Sequence, residues 1–275
     1  AGVTFSCDKY LEEDLRDALS PSTFYNNDNE ATIAVNGGYA LLTGAQGMRS
    51  RNWTQMWQMG TDESSSNRGV YKEGHNYTYT EGVRDGEDFW NLMYEIVRNT
   101  SGALPKIEGN SNLSQTVIDQ SVGQLLVIRA LAYYNLTRMW GDVPFFTELL
   151  EPKELATLKR TPYSTVTTAM KSDLQRAYGL LPDSYSGSGN EGRFTKWAAM
   201  ALKAKFHMFD REWSDMKAAC VDIINNSPHK LMDNFENVYN WRNYFPSTSM
   251  NSEQILWIDF AGVSGVFFAS EKKML

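Results

Sequence analysis

Residues 116–144 read TVIDQSVGQLLVIRALAYYNLTRMWGDVP. Ile118, Val122, Leu125, Arg129, Ala132, Tyr133, Leu136 and Trp140 recur at three- and four-residue steps, which marks one face of an α-helix. Gly141 offers a stop and Pro144 forbids continuation. Outward from this segment the same period predicts helices over 27–43, 85–99, 163–181, 195–209 and 212–226. The first holds the pair Gly37-Gly38, each of which costs a helix about 1 kcal/mol, so the pair is expected to admit a close neighbour.

The 195–209 helix is rich in alanine, at 198, 199, 201 and 204. Small residues at a crossing let helix axes approach to the lower end of the usual spacing of about 8–10 Å. Residues 201–209, the turn Asp210-Arg211-Glu212-Trp213, residues 218–224 and then Pro228 have the rhythm of a tetratricopeptide helix pair. Residues 254–260 read as a short strand, with no completed element expected after Phe260. The predicted fold is mainly α: a tetratricopeptide-like helical repeat scaffold with long inserted loops and a short terminal strand.

The chain has 275 residues, 42% of them hydrophobic and 21% charged, with a net charge of −7. These values describe a globular chain and argue against a nucleic-acid partner, which selects basic surfaces. No stretch approaches 18 apolar residues, so no helix is expected to span a bilayer. The two cysteines do not make a disulfide scaffold. Cys220, in the stripe Met216, Cys220, Ile223, reads as a small core residue. Cys7 follows Ala1-Gly2-Val3-Thr4-Phe5-Ser6, which looks like the tail of a processed apolar segment. On residues alone it is either an acylated cysteine or a free thiol near a terminus.

Catalytic patterns are sparse. His75, His207 and His229 lie far apart without an HExxH, so no zinc ligand set is visible, and His207 reads as a packing residue beside Phe206. No P-loop, GxSxG elbow or EF-hand loop occurs. Gly187, Gly189 and Gly192 form a GxGxxG that follows a helix end at Leu181-Pro182 rather than a strand, which excludes the dinucleotide reading. Asp85, Glu87 and Asp88 read as the acidic first turn of a helix. A surface glycoside hydrolase could use Asp62 or Glu63. Of the sequons at Asn52, Asn76 and Asn135, the last lies within the longest helix, where glycosylation is not expected.

The segment 49–80 is the exception. It carries Trp53, Trp57, Tyr71, Tyr77 and Tyr79, interleaved with Arg68, His75 and Asn76. Long loops with such ring density are functional more often than disordered. A pyranose has an apolar face that stacks on a ring and a rim of hydroxyls that takes polar contacts. In an extended segment Tyr77 and Tyr79 face the same side. The competing reading is that these rings pin the loop onto the helices. For Trp53 and Trp57, four apart on a predicted helix, packing is the first expectation.

Several ordered motifs resemble the SusD/RagB family of outer-membrane nutrient-binding lipoproteins. They are Cys7-Asp8-Lys9-Tyr10-Leu11-Glu12, Ala34-Val35-Asn36-Gly37-Gly38-Tyr39-Ala40, and Trp90, Tyr94, Ile96 and Asn99. The most specific piece is Arg129-Ala130-Leu131-Ala132-Tyr133-Tyr134 followed by Trp140-Gly141-Asp142-Val143-Pro144. Asp173-Leu174, Leu181-Pro182, Gly192-Arg193, Thr195-Lys196 and Ser252-Glu253-Gln254-Ile255-Leu256 follow in order. The resemblance implies a tetratricopeptide-like scaffold, no catalysis, no cofactor, and capture of oligosaccharides or polysaccharides at the bacterial cell surface. It also implies a lipid anchor at Cys7 and a SusC-like TonB-dependent transporter as partner. By position, Tyr77 and Tyr79 resemble the family's aromatic platform and Arg68 its arginine. Asn76 joins them as a hydrogen-bonding residue, with Trp53, Trp57 and Tyr71 as further candidates. Thr4-Phe5-Ser6 departs from the usual leucine before a lipobox. Members of the family run to about twice this length. The expected layout is a signal-peptide remnant with the lipidation cysteine over 1–7 and a helical domain over 8–275, cut short at its C-terminus. The rival is a tetratricopeptide-type adaptor binding protein or peptide on its concave face.

Overall fold

The computed structural model describes residues 24–43, 57, 60–63, 65, 76–78, 84–185, 190, 192–238, 252–258 and 273–274. Its helices are α1 (Asp28–Thr43), α2 (Arg84–Ile107), α3 (Gln115–Trp140), α4 (Pro152–Thr157), α5 (Tyr163–Leu180), α6 (Lys196–Phe209) and α7 (Trp213–Asn226). Strand β1 (Val143–Pro144) pairs antiparallel with β2 (Arg160–Thr161), and β3 (Trp257–Ile258) with β4 (Lys273–Met274). The mainly α prediction holds, and among the described residues no helix is long and apolar enough to cross a membrane.

Helix α3 is the axis of the fold. Every residue from Ser121 to Thr137 is buried, so its periodic stripe is only part of an all-round interior surface. It packs against α1, α2, α5 and α6. Two glycines set these approaches. A Cβ at Gly123 would lie 2.6 Å from Leu181 Cγ, at the end of α5. A Cβ at Gly38 of α1 would lie 3.1 Å from Ile128 Cδ1. The neighbouring Gly37 is different: among the described residues its nearest atom would be Asn99 Nδ2 at 3.9 Å, an ordinary contact. Only one glycine of the predicted pair therefore serves helix packing. Helices α6 and α7 form a second, smaller core of Trp197, Met200, Ala204, Ala219 and Ile223, as the alanine pattern requires. Cys220 is half-buried against this core and is a free thiol.

Three expectations are corrected. Helix α2 runs eight residues beyond Asn99, to Ile107. Thr100 and Ser101 look like a polar stop but are fully buried, and Thr100 Oγ1 donates back to the carbonyls of Ile96 (2.8 Å) and Val97 (3.0 Å). Helix α4 was not foreseen; it is fixed by a capping box between Glu151 and Glu154 with Pro152 in its first turn, and it buries nothing. Finally, β4 is a completed element after Phe260, and it pairs with the expected strand.

Candidate functional site

The motif residues around α3 are occupied with structure. Arg129 is 5% exposed; its Nε and Nη2 donate to Asp173 Oδ2 (3.1 and 2.8 Å) and its Nη1 to the Thr147 carbonyl (3.0 Å). Burial pushes the Asp173 carboxyl above its ordinary range, and the Arg129 guanidinium opposes that shift. The Tyr133 hydroxyl donates to the Phe146 carbonyl (2.9 Å) and accepts from the Phe146 N–H (3.0 Å). Gly141, at φ +68°, turns the chain out of α3. Asp142 then accepts the Tyr163 N–H at 2.8 Å, which joins the start of α5 to the corner. Arg193 similarly donates to Asn190 (2.9 Å), Gln124 (3.3 Å) and Asn36 (3.1 Å), while the Tyr39 hydroxyl accepts the Phe194 N–H. These groups latch helices together.

In the ring-rich segment the described residues include exposed polar and aromatic groups. Tyr77 is 75% exposed, and its hydroxyl donates to the Gly60 carbonyl, which ties Tyr77 back to the middle of the segment. Its backbone is left-handed, at φ +56°. Asn76 beside it is exposed. Asp62 and Glu63, near Gly60, are exposed as well. Trp57 is half-buried beneath the Arg138 guanidinium, 4.4 Å from its ring centroid, and Arg138 also lies over Tyr134 (4.8 Å) and Phe209 (5.0 Å). Trp57 thus packs against Arg138 of α3. Tyr79, Arg68, Trp53, Tyr71 and Cys7 lie outside the described residues.

A second polar cluster escaped the sequence reading. His207 Nδ1 and Glu212 Oε2 are 2.5 Å apart, and Lys171 Nζ donates to Glu212 (2.6 Å) and Asp210 (2.8 Å). The Tyr163 hydroxyl donates to Asp210 at 2.5 Å. Burial works against the Lys171 charge, yet the two carboxylates prevail and raise its pKa. Hydrogen bonds from Lys171 and His207 hold Glu212 below its ordinary value. The ligand atoms of His207, Glu212 and Asp215 lie within 4.8 Å of one another, a metal-compatible grouping. The Lys171 ammonium, however, already neutralises the shared carboxylate. His207 and Glu212 come together only through the tight turn after α6, a spacing of five that no helix periodicity signals.

A family model described as "Starch-binding associating with outer membrane" matches residues 9–208, most of the chain. The chain belongs to the SusD-like family. A SusD-like protein of Formosa agariphila is 33% identical over 266 residues, covering 94% of this chain and 49% of that relative. A second from the same organism is 24% identical, covering 92% of this chain and 50% of the relative. Among solved structures, a laminarin-binding SusD-like protein superposes with a TM-score of 0.74 at 26% identity, over 86% of this chain and 52% of its own. A SusD homolog from Bacteroides thetaiotaomicron gives a TM-score of 0.77 at 20% identity over 88% of this chain, which shows the shared fold. This SusD-like chain spans about half the length of the curated relatives it matches.

Proposed function

We propose that this SusD-like chain belongs to a cell-surface lipoprotein of the bacterial outer membrane. It captures oligosaccharides and passes them to a SusC-like TonB-dependent transporter, without a catalytic step. The family's description as starch-binding and outer-membrane associated supports this reading, as does the laminarin-binding relative. The observation that carries the site is the exposed Tyr77 ring, fixed by its own hydroxyl and flanked by Asn76. A tyrosine held this way presents an open face without needing to be ordered by the ligand. Tyr77 and Tyr79 stack on sugar rings; Asn76 and Arg68 bond their hydroxyls, with Trp53, Trp57 and Tyr71 as further contacts. Cys7 carries the lipid anchor, residues 1–7 being the processed end and 8–275 the helical domain.

Each stacked ring contributes about 1 kcal/mol, or about fivefold in affinity. Calorimetric titration with laminari- and malto-oligosaccharides tests this. Tyr77→Ala and Tyr79→Ala are each expected to weaken binding by about fivefold. Undiminished affinity in both variants removes the platform assignment. The family assignment favours glycan capture over the peptide-adaptor reading.

A further inference from the structure

Helices α1 and α2 enclose a surface groove of about 370 Å³, within the size range of small-ligand sites. Gly37 of α1 and Gly102 of α2 line it. Neither glycine is demanded by packing. Among the described residues, a Cβ at Gly37 meets nothing closer than Asn99 Nδ2 at 3.9 Å, and one at Gly102 nothing closer than Leu149 Cδ1 at 3.9 Å. Gly38 and Gly123, by contrast, stand against neighbours that a methyl would strike. Among the described residues these two helical glycines, each destabilising relative to alanine, leave the groove floor without side chains.

The walls are chemically mixed. At one end Phe24 and Tyr25 form an edge-to-face pair with centroids 4.6 Å apart. Tyr25 sits at φ +81°, a conformation that a bulky residue rarely adopts and that persists where the surroundings enforce it. Asn110 enforces it here, donating from Nδ2 to the Tyr25 carbonyl at 2.9 Å. Along the side, Arg98 and Asn99 are exposed, and neither side chain has a hydrogen-bond or ion-pair partner among the described residues. The groove therefore offers an aromatic pair, a bare floor, a free guanidinium and a free amide. An apolar peptide would use the floor and rings but not the two polar side chains. A pyranose uses both, its C–H face on the apolar surface and its hydroxyls on the fork of Arg98 and the amide of Asn99.

We propose that the α1–α2 groove is a second saccharide-binding site, built from different residues than the Tyr77 surface. It rests on the reading of the chain as a glycan binder. Two such sites on one chain raise retention on a polymeric glycan above that of either alone.

Affinity electrophoresis of the full chain through gels containing laminarin or soluble starch tests it. Gly37→Leu fills the floor with a better helix former, so its urea midpoint is expected to stay at or above wild type while retention falls. Arg98→Ala removes an exposed side chain and reports on the polar contact independently. Each is expected to raise the apparent Kd about threefold to tenfold. Combining Gly37→Leu with Tyr77→Ala is expected to weaken retention beyond either single change. If both groove variants migrate as wild type while Tyr77→Ala loses retention, the groove assignment is overturned and the glycan-binding reading stands. If wild type is retained by neither polysaccharide, both fall together.

Discussion

Substituting Gly123→Ala tests the central crossing of the fold. The new methyl would stand 2.6 Å from Leu181 Cγ and 2.7 Å from Cδ2, well inside contact distance. Cγ is the branch point of the side chain, so a rotation at its tip does not clear it. Leu181 is 5% exposed, and its N–H is bonded to the Ala177 carbonyl at 3.0 Å, so its backbone is also held. Overpacking a core of this kind costs about 1–3 kcal/mol, and this geometry belongs at the upper end. Replacing a helical glycine by alanine returns about 1 kcal/mol. The net is a loss of about 1–2 kcal/mol. Leu181→Ala alone removes a buried leucine, at about 2–5 kcal/mol. In that background the clash partner is gone, so Gly123→Ala keeps only its helix-forming gain. Its sign therefore reverses: the double variant should be more stable than Leu181→Ala by about 1 kcal/mol. Urea denaturation followed at 222 nm on all four proteins measures the cycle. A stabilising effect of Gly123→Ala in the wild-type background would refute the claim that α3 and α5 approach as closely as this.

Further expectations concern the buried polar groups. Arg129→Met strands the Asp173 carboxylate and should cost about 3–5 kcal/mol by denaturant titration, with part recovered on adding Asp173→Leu. Tyr133→Phe leaves both polar backbone groups of Phe146 without the hydroxyl they share, and is expected to lower stability by about 2 kcal/mol in the same assay. Glu212 is held below its ordinary value of 4.5, so its contribution is present above that pH and is lost as pH falls through the lower folded value. Glu212→Gln should therefore be less stable than wild type near neutrality, with the gap closing in acid; a gap independent of pH would exclude the ion-pair account.

The helices were readable because burial in this fold is striped. Glycine, proline and small polar residues punctuate the stripes, so the ends at Gly141 and Pro182 fall where the sequence places them. Reading failed where a residue's role depends on a distant partner. Thr100 and Ser101 imitate a loop because nothing local shows that the helix continues into the core. The strand pairing of Trp257 with Met274 is a choice of register that a two-residue segment does not advertise. The candidate site was read from a composition, rings among amides, of which the structure describes Tyr77, Asn76 and Trp57. Its bond to Gly60, 17 residues away, and the seat of Trp57 under Arg138 are tertiary facts with no local trace. The same holds for the α1–α2 groove, since Gly37 and Gly38 are adjacent and identical in sequence yet do different work.

The Arg193 latch has a consequence for the order in which the molecule assembles. Arg193 meets Asn36 across 157 positions of chain, but Gln124 across only 69. Loop-closure entropy grows as (3/2)RT ln n, so closing the shorter loop is cheaper by about 0.7 kcal/mol. The favoured route is for Arg193 to settle on α3 first, through Gln124, and for α1, whose Gly38 lies 90 positions from Ile128, to dock afterwards. Run backwards, the same ordering makes α1 the first element to release on unfolding. Amides at its end of the fold should then exchange with solvent while those at the centre of α3 are still protected.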